Sequence, residues 1–498
     1  MKYQSTRNNS VSVDSAMAIK RGISPEGGLY VPETMPKVSL DDIKALSDMK
    51  YTKRASKILG LFLTDYTEEE LDLCASGAYM VPKFETDDVA PLYSLNDKTN
   101  ILELWHGPTC AFKDMALQIL PHLLTKAIKK TGENHQVVIL VATSGDTGKA
   151  ALEGFKDVEG TKIQVFYPVD GVSQIQKLQM ATQEGKNVCV CAVKGNFDDA
   201  QTGVKKIFTN EEYKKELADR GYVLSSANSI NWGRLAPQIV YYFSAYCDML
   251  TKRKINLGDK INIVVPTGNF GNILAAFYAK SMGLPVNKLI CASNSNNVLT
   301  EFIKTGTYDR KRSFYTTISP SMDILISSNL ERLLYHLSDS NDSLISSYMK
   351  DLNEKGNYTV SGEIKAKINE HFVAGFCSDD ETKETISDVF KNYSYVIDTH
   401  TAVAVNVYNK YTAQTGDNTP TVIASTANPF KFNEAVISAI APEVSLENKN
   451  EFELLDILVD KGNIKTPPQL GELKNKTPRF NTVCEKELMI KETDSFLK

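Results

Sequence analysis

From about residue 100 onward one pattern recurs: a short apolar, β-branched run, then a loop of Gly, Ser and Asn, then a stretch with apolar residues at helical spacing. A run of this kind reads as a buried strand, and its alternation with amphipathic stretches reads as βα units. Residues 136–142 lead into Ser144-Gly-Asp-Thr-Gly148 and a helix, and residues 162–167 lead into a helix carrying Ile175, Leu178 and Met180. Residues 187–193 precede a helix through Val204, Ile207 and Phe208, and residues 235–250 form a longer helix. A second series opens with residues 260–265, the turn Pro266-Thr-Gly-Asn-Phe-Gly-Asn272 and a helix over 273–282, then continues with strands at 288–292 and 421–425. Such alternation predicts an α/β fold of two open, mainly parallel sheets with flanking helices. Ligands in such folds sit beyond the carboxyl ends of the strands.

At 498 residues the chain exceeds what one core sustains, so two or three domains are expected. We place a mainly helical N-terminal domain at 1–95, a first α/β domain at 96–255 and a second at 256–498. Segment 338–385 is polar and reads as exposed helices or an insertion. With 61 acidic against 56 basic residues and no dense basic run, nucleic acid is not an expected partner. No stretch is long and apolar enough to span a bilayer and the first residues carry no apolar leader, so a cytoplasmic protein without membrane contact is expected. The eight cysteines are scattered and the six histidines lack metal-ligand spacing, so no metal is expected.

The loops carry the candidate chemistry. The turn over Gly268, Asn269, Phe270, Gly271 and Asn272 joins a strand to a helix, where free backbone N–H groups and the helix dipole make an anion site; taken alone, the pair of glycines reads rather as a tight turn without ligand. The turn Gly145-Asp-Thr-Gly-Lys149 lacks the spacing of a nucleotide-binding P-loop. Lys113, in Glu103-Leu-Trp-His-Gly-Pro-Thr-Cys-Ala-Phe-Lys-Asp114, falls in the first turn of a helix. The positive end of the dipole would lower the pKa of an amine there, although on spacing alone it reads as a surface lysine. Arg234, at the start of a helix after Asn228-Ser-Ile-Asn-Trp-Gly, is a candidate anion clamp.

Taken together these loops resemble those of threonine synthase, a family of pyridoxal-phosphate enzymes of fold type II. Residues 102–114 fit the family's cofactor-lysine pattern throughout. Further matches lie at 3–7, 22–32, 142–148, 228–234, 266–272, 319–324, 327–333 and 400–403, so the resemblance covers roughly residues 1–435. It implies a tryptophan synthase β-like pair of α/β domains with pyridoxal phosphate attached to Lys113. Residues 268–272 would cradle the cofactor phosphate, and Thr426 would lie near the pyridine nitrogen. It implies that Ser144, Gly145, Asp146 and Thr147 receive the substrate carboxylate, and that Asn231 and Arg234 are candidates for the substrate phosphate.

The activity implied is conversion of O-phospho-L-homoserine and water to L-threonine and phosphate, by a monomer or homodimer. The alternatives are a phospholyase that releases 2-oxobutyrate from the same substrate, and a non-catalytic relative that binds cofactor or a partner. The sequence departs from the family near its end, where Asn428 and Phe430 replace a histidine and an alanine, and Lys149 stands where smaller residues are common.

Overall fold

In the computed structural model residues 1–498 are described, apart from residues 144, 170 and 171 and the side chains of residues 197 and 198. The βα units build two sheets. The first is wholly parallel, with the order Val483–Cys484, Val188–Val193, Thr161–Pro168, Gln136–Ala142, Tyr222–Ser225. The second has the order Phe372–Phe376, Val286–Ser293, Ile261–Pro266, Thr421–Ser425, Thr99–Glu103, Leu92–Ser94, with only the last strand antiparallel. The central strands of both are buried along nearly their whole length, as sheets covered on two faces require.

Sheet membership does not follow the sequence order of the three expected segments. Strand Thr99–Glu103, ahead of every strand of the first sheet, pairs with Thr421–Ser425 in the second. The short strand Val483–Cys484 returns from the far end of the chain to cover the edge of the first. The N-terminal region carries four helices but also a three-stranded antiparallel sheet over Asn8–Asp14, Lys2–Ser5 and Tyr30–Pro32, which the sequence reading omitted. Segment 338–385 likewise holds more than exposed helices: Phe372–Phe376 is an edge strand, and Ile345, Tyr358, Ile364 and Ile368 are buried.

A single helix, Trp232–Thr251, organises the interior. Its side chains are buried on all faces, and it packs against Gly271–Met282 of the second sheet's cover, Tyr51–Phe62 and Leu40–Ser47 of the N-terminal region, and the short helix Asp114–Leu117. An all-round apolar helix is stable only inside such a shell. No helix among the described residues is long and apolar enough to cross a membrane.

The N-terminal helices are closed by local chemistry. The acidic run after Thr67 is a capping box: Glu70 N–H donates to Thr67 Oγ1 at 3.2 Å, and Thr67 N–H donates to the Glu70 carboxylate at 3.0 Å.

Helix Asp146–Phe155 lies so close to the helix ahead of it that a Cβ at Gly154 would stand 2.0 Å from the Leu117 carbonyl oxygen. Alanine has a helix advantage over glycine of about 1 kcal/mol. A clash with backbone exceeds that, since overpacking costs about 1–3 kcal/mol or more. Gly154→Ala is therefore expected to lower the urea midpoint; an unchanged or higher midpoint would show that the two helices can separate freely.

Candidate active site

The loop after strand Thr99–Glu103 is pinned to the loop after strand Thr421–Ser425. Leu104 N–H donates to the Ser425 carbonyl at 3.0 Å, Phe112 N–H to the Thr426 carbonyl at 2.8 Å, and Asn428 N–H to the Cys110 carbonyl at 3.1 Å. Inside the loop, buried Asp114 accepts from Thr109 N–H and Thr109 Oγ1, both at 2.8 Å. Burial raises the Asp114 carboxyl to about 6 against the opposing pull of those bonds. Lys113, the residue before it, is thereby held with its side chain 13% exposed. Its Nζ lies 3.4 Å from Ser321 Oγ, 3.8 Å from Asp146 Oδ2 and 5.1 Å from the Phe112 ring centre.

Burial lowers the Lys113 ammonium below its ordinary value; the Asp146 carboxylate opposes this, while Lys431 and Arg234 reinforce it. Asp146 stands between two amines, with fully buried Lys431 Nζ at 2.6 Å from Oδ1. Burial alone would raise its carboxyl, but Lys431 and Lys113 hold it well below the usual carboxylate range. Arg234 is 4% exposed; one Nη donates to the Ala227 carbonyl, its Nε has no partner, and no carboxylate pairs with it among the described residues. Burial lowers it to about 10, which leaves it charged at neutral pH. Two lysines on the Asp146 carboxylate, with the charge of Arg234 bearing on one of them, give the site an excess of positive charge suited to anions.

The turn 268–272 presents donors and hides acceptors. The Gly268 carbonyl accepts from Ser327 Oγ at 2.8 Å, and the Asn269 carbonyl accepts from Asn329 N–H at 3.2 Å and Asn329 Nδ2 at 3.0 Å. Phe270, at φ 62°, turns the chain into helix Gly271–Met282. The first N–H groups of that helix have no intrahelical acceptor. Gly268 is dictated by proximity: a Cβ there would lie 2.6 Å from the Ser321 carbonyl oxygen. Ser321 thus touches both the cradle and Lys113. It is fixed from behind, because its N–H donates to His400 Nε2 at 3.1 Å while His400 Nδ1 meets Asp398 Oδ1 at 2.9 Å.

Three family models match the chain: "Threonine synthase N terminus" over residues 2–79, "Pyridoxal-phosphate dependent enzyme" over 95–426 and "Threonine synthase, C-terminal" over 401–493. The chain belongs to the threonine synthase family. Within the pyridoxal-phosphate-dependent enzymes, this threonine synthase-family chain is 38% identical over 440 residues to threonine synthase of Pseudomonas aeruginosa, covering 88% of this chain and 90% of that protein. It is 39% identical over 449 residues to threonine synthase-like 1 of Homo sapiens, covering 88% of this chain but spanning only 60% of the length of that relative. Among solved structures it resembles pyridoxal-phosphate-bound threonine synthase from Brucella melitensis, with a TM-score of 0.87 and 35% identity over 100% of this chain and 99% of that one. The yeast threonine synthase structure gives a TM-score of 0.88 and 32% identity over 100% and 98%. The expected fold type II architecture is what these neighbours share.

The residues present in this threonine synthase-family chain fit the family's cofactor. A buried amine of lowered pKa stands beside a donor-rich turn whose glycine leaves room only for backbone. Of the residues singled out in the sequence, Asp146 and Arg234 both act electrostatically on Lys113, and Thr426 adjoins Lys113 through the Phe112 bond. Gly145, at φ 145°, and half-buried Thr147 flank Asp146, and Ser144 lies outside the described residues. Asn231 is occupied elsewhere: its amide donates to the Ile19 and Ser226 carbonyls and its oxygen caps Gly233 N–H. Asn272 Oδ1 accepts from Tyr241 and Tyr242, and its buried Nδ2 has no partner.

Lys149 turns away toward Glu153 and Gln183. Asn428 caps Phe430 N–H at 3.1 Å and Phe430 is buried, so the two departures from the family pattern are absorbed by local packing. Sequence reasoning missed Lys431 and Ser321. The signal for the first was a lysine between two phenylalanines, Phe430 and Phe432, in an otherwise apolar turn.

His106 bridges Glu103 at 2.7 Å and Glu85 at 2.6 Å beneath this loop. Burial would lower its pKa, but the two carboxylates raise it to about 9. A histidine raised above its unfolded value near 6.5 stabilises fully below pH 6.5, and that contribution is lost as pH rises through about 9. In urea denaturation, the advantage of the native protein over His106→Gln should shrink by ~2 kcal/mol between pH 6 and pH 9.5. A pH-independent difference would mean that the imidazole is neutral in the fold.

Proposed function

We propose that the protein is a threonine synthase, converting O-phospho-L-homoserine and water to L-threonine and phosphate. The observation that carries this reading is the juxtaposition of the Lys113 amine with the donor-rich turn 268–272 on one side and the unpaired, buried Arg234 guanidinium on the other. Two separate anion sites around one amine suit a phosphorylated cofactor and a phosphorylated substrate. The family membership supports the same reading.

In this reading Lys113 holds pyridoxal phosphate, backbone N–H groups of residues 268–272 receive its phosphate, and Thr426 lies by its ring nitrogen. When bound, that cofactor supplies an electron sink for negative charge developing at the amino acid's α-carbon. Every other task falls to the chain. Lys113, whose ammonium form is disfavoured by burial, takes a proton from the substrate's α-carbon and then one from its β-carbon, and returns protons at later steps. Asp146 keeps its charge through Lys431 and so fixes the start of helix Asp146–Phe155, where N–H groups of residues 145–147 receive the substrate carboxylate. Arg234 binds the substrate phosphate bidentately and stabilises it as it leaves the γ-carbon, and water adds at the β-carbon.

The name of the relative from Homo sapiens, threonine synthase-like 1, keeps a second reading in play: a phospholyase that eliminates phosphate and yields 2-oxobutyrate and ammonia.

Purified protein supplied with pyridoxal phosphate and O-phospho-L-homoserine should release threonine and phosphate in equal amounts. Lys113→Ala should abolish both, and Arg234→Lys should raise KM at least tenfold while cofactor absorbance is retained. Phosphate accompanied by 2-oxobutyrate would establish the phospholyase, and no phosphate from folded, cofactor-loaded protein would remove the substrate assignment.

A further inference from the structure

Arg332 is 0% exposed and has no carboxylate partner among the described residues. A buried guanidinium without a counter-ion is costly unless its donors are taken up, and here they go to three separate segments. Nε donates to the Tyr30 carbonyl at 3.0 Å, one Nη to Asn329 Oδ1 at 2.6 Å, and the other Nη to the Ile230 carbonyl at 2.6 Å. Each acceptor stands one step from a different part of the machinery. Asn329 donates to the Asn269 carbonyl in the phosphate cradle. Ile230 precedes Asn231, the N-cap of the helix that carries Arg234. Tyr30 begins the N-terminal strand Tyr30–Pro32, and the neighbouring Glu331 is bound by Arg7 of the same region.

We infer that Arg332 is a positioning residue that sets the cofactor cradle, the substrate-phosphate arginine and the N-terminal sheet in one register. The inference rests on the proposed function for what the cradle and Arg234 bind, but its geometry does not depend on which product forms. The fork is what does this. Three acceptors in different directions require a planar group with five donors, and a lysine, which places its donors at one point, satisfies only part of the set. Arg332 touches neither substrate nor cofactor; it acts through Asn329 and through the carbonyl of Ile230.

The test compares Arg332→Lys, Arg332→Gln and Asn329→Ala with the native protein. Pyridoxal phosphate affinity is measured by absorbance titration, and backbone hydrogen exchange is measured in residues 226–236. Asn329→Ala cuts the limb to the cradle and, besides it, a 3.5 Å contact from the Asn329 amide to Ser229 Oγ, so it should weaken cofactor binding about tenfold and leave exchange in 231–236, past Ser229, unchanged. Arg332→Gln should weaken cofactor binding by at least as much and also speed exchange in 226–236, and Arg332→Lys should recover only part of either loss. On cofactor affinity the Arg332→Gln and Asn329→Ala effects should be less than additive, because they break one chain of bonds.

A lower melting temperature with native cofactor affinity and native exchange in folded protein would reduce Arg332 to a packing residue and overturn the inference, as would full rescue by lysine. Should Arg332→Gln fail to fold, Arg332→Lys and Asn329→Ala still decide the point. If the native protein binds pyridoxal phosphate but forms neither threonine nor 2-oxobutyrate, the substrate reading fails while both measurements still stand.

Discussion

The parallel pairing of strand Thr99–Glu103 with strand Thr421–Ser425 is the contact on which the site depends. In a parallel pair the carboxyl ends emerge on the same side, so the loops that follow them meet. Here those loops carry Lys113 and Lys431, and both amines reach Asp146 at the start of a helix from the other sheet. A carboxylate between two buried ammoniums retains its charge in a low-dielectric setting where an isolated one would be neutralised. The two sheets are therefore joined electrostatically at the place where a ligand would enter.

Around that centre the groups are sorted by what they have left to offer. Carbonyls of residues 268 and 269 are taken by Ser327 and Asn329, Asn231 by its own helix cap, and Lys149 by Glu153. Left without a partner among the described residues are the Nε of Arg234 and the Nδ2 of Asn272. A buried guanidinium nitrogen without a partner, on an arginine whose charge bears on a lysine of lowered pKa, is the kind of group a candidate site presents.

The periodic strands and the helices after them were legible because their signal is local: residues 136–142 and Thr421–Ser425 occur where the apolar runs stand. The chain's crossings between sheets were not, since nothing in residues 99–103 states that their partner lies at 421–425. The small N-terminal sheet was missed because its strands alternate weakly and are short, three to seven residues. In the candidate site, Lys113 and the glycine turns stand out in the sequence itself, whereas Lys431 and Ser321 meet Asp146 and Lys113 only through the packing of distant segments. Asn231 shows the converse, a polar residue in a telling motif whose side chain serves its own helix.

Strand Thr99–Glu103 is made early in synthesis and its partner late, and the edge of the other sheet is likewise covered only by Val483–Cys484. Until the ribosome has delivered those late segments, two strand edges stand unpaired, and the intervening units can assemble only around gaps. Non-local pairing of this kind slows folding and leaves nascent edges open to other chains. The order of the sequence thus leaves the surroundings of Lys113 to be completed by segments that leave the ribosome more than three hundred residues after it.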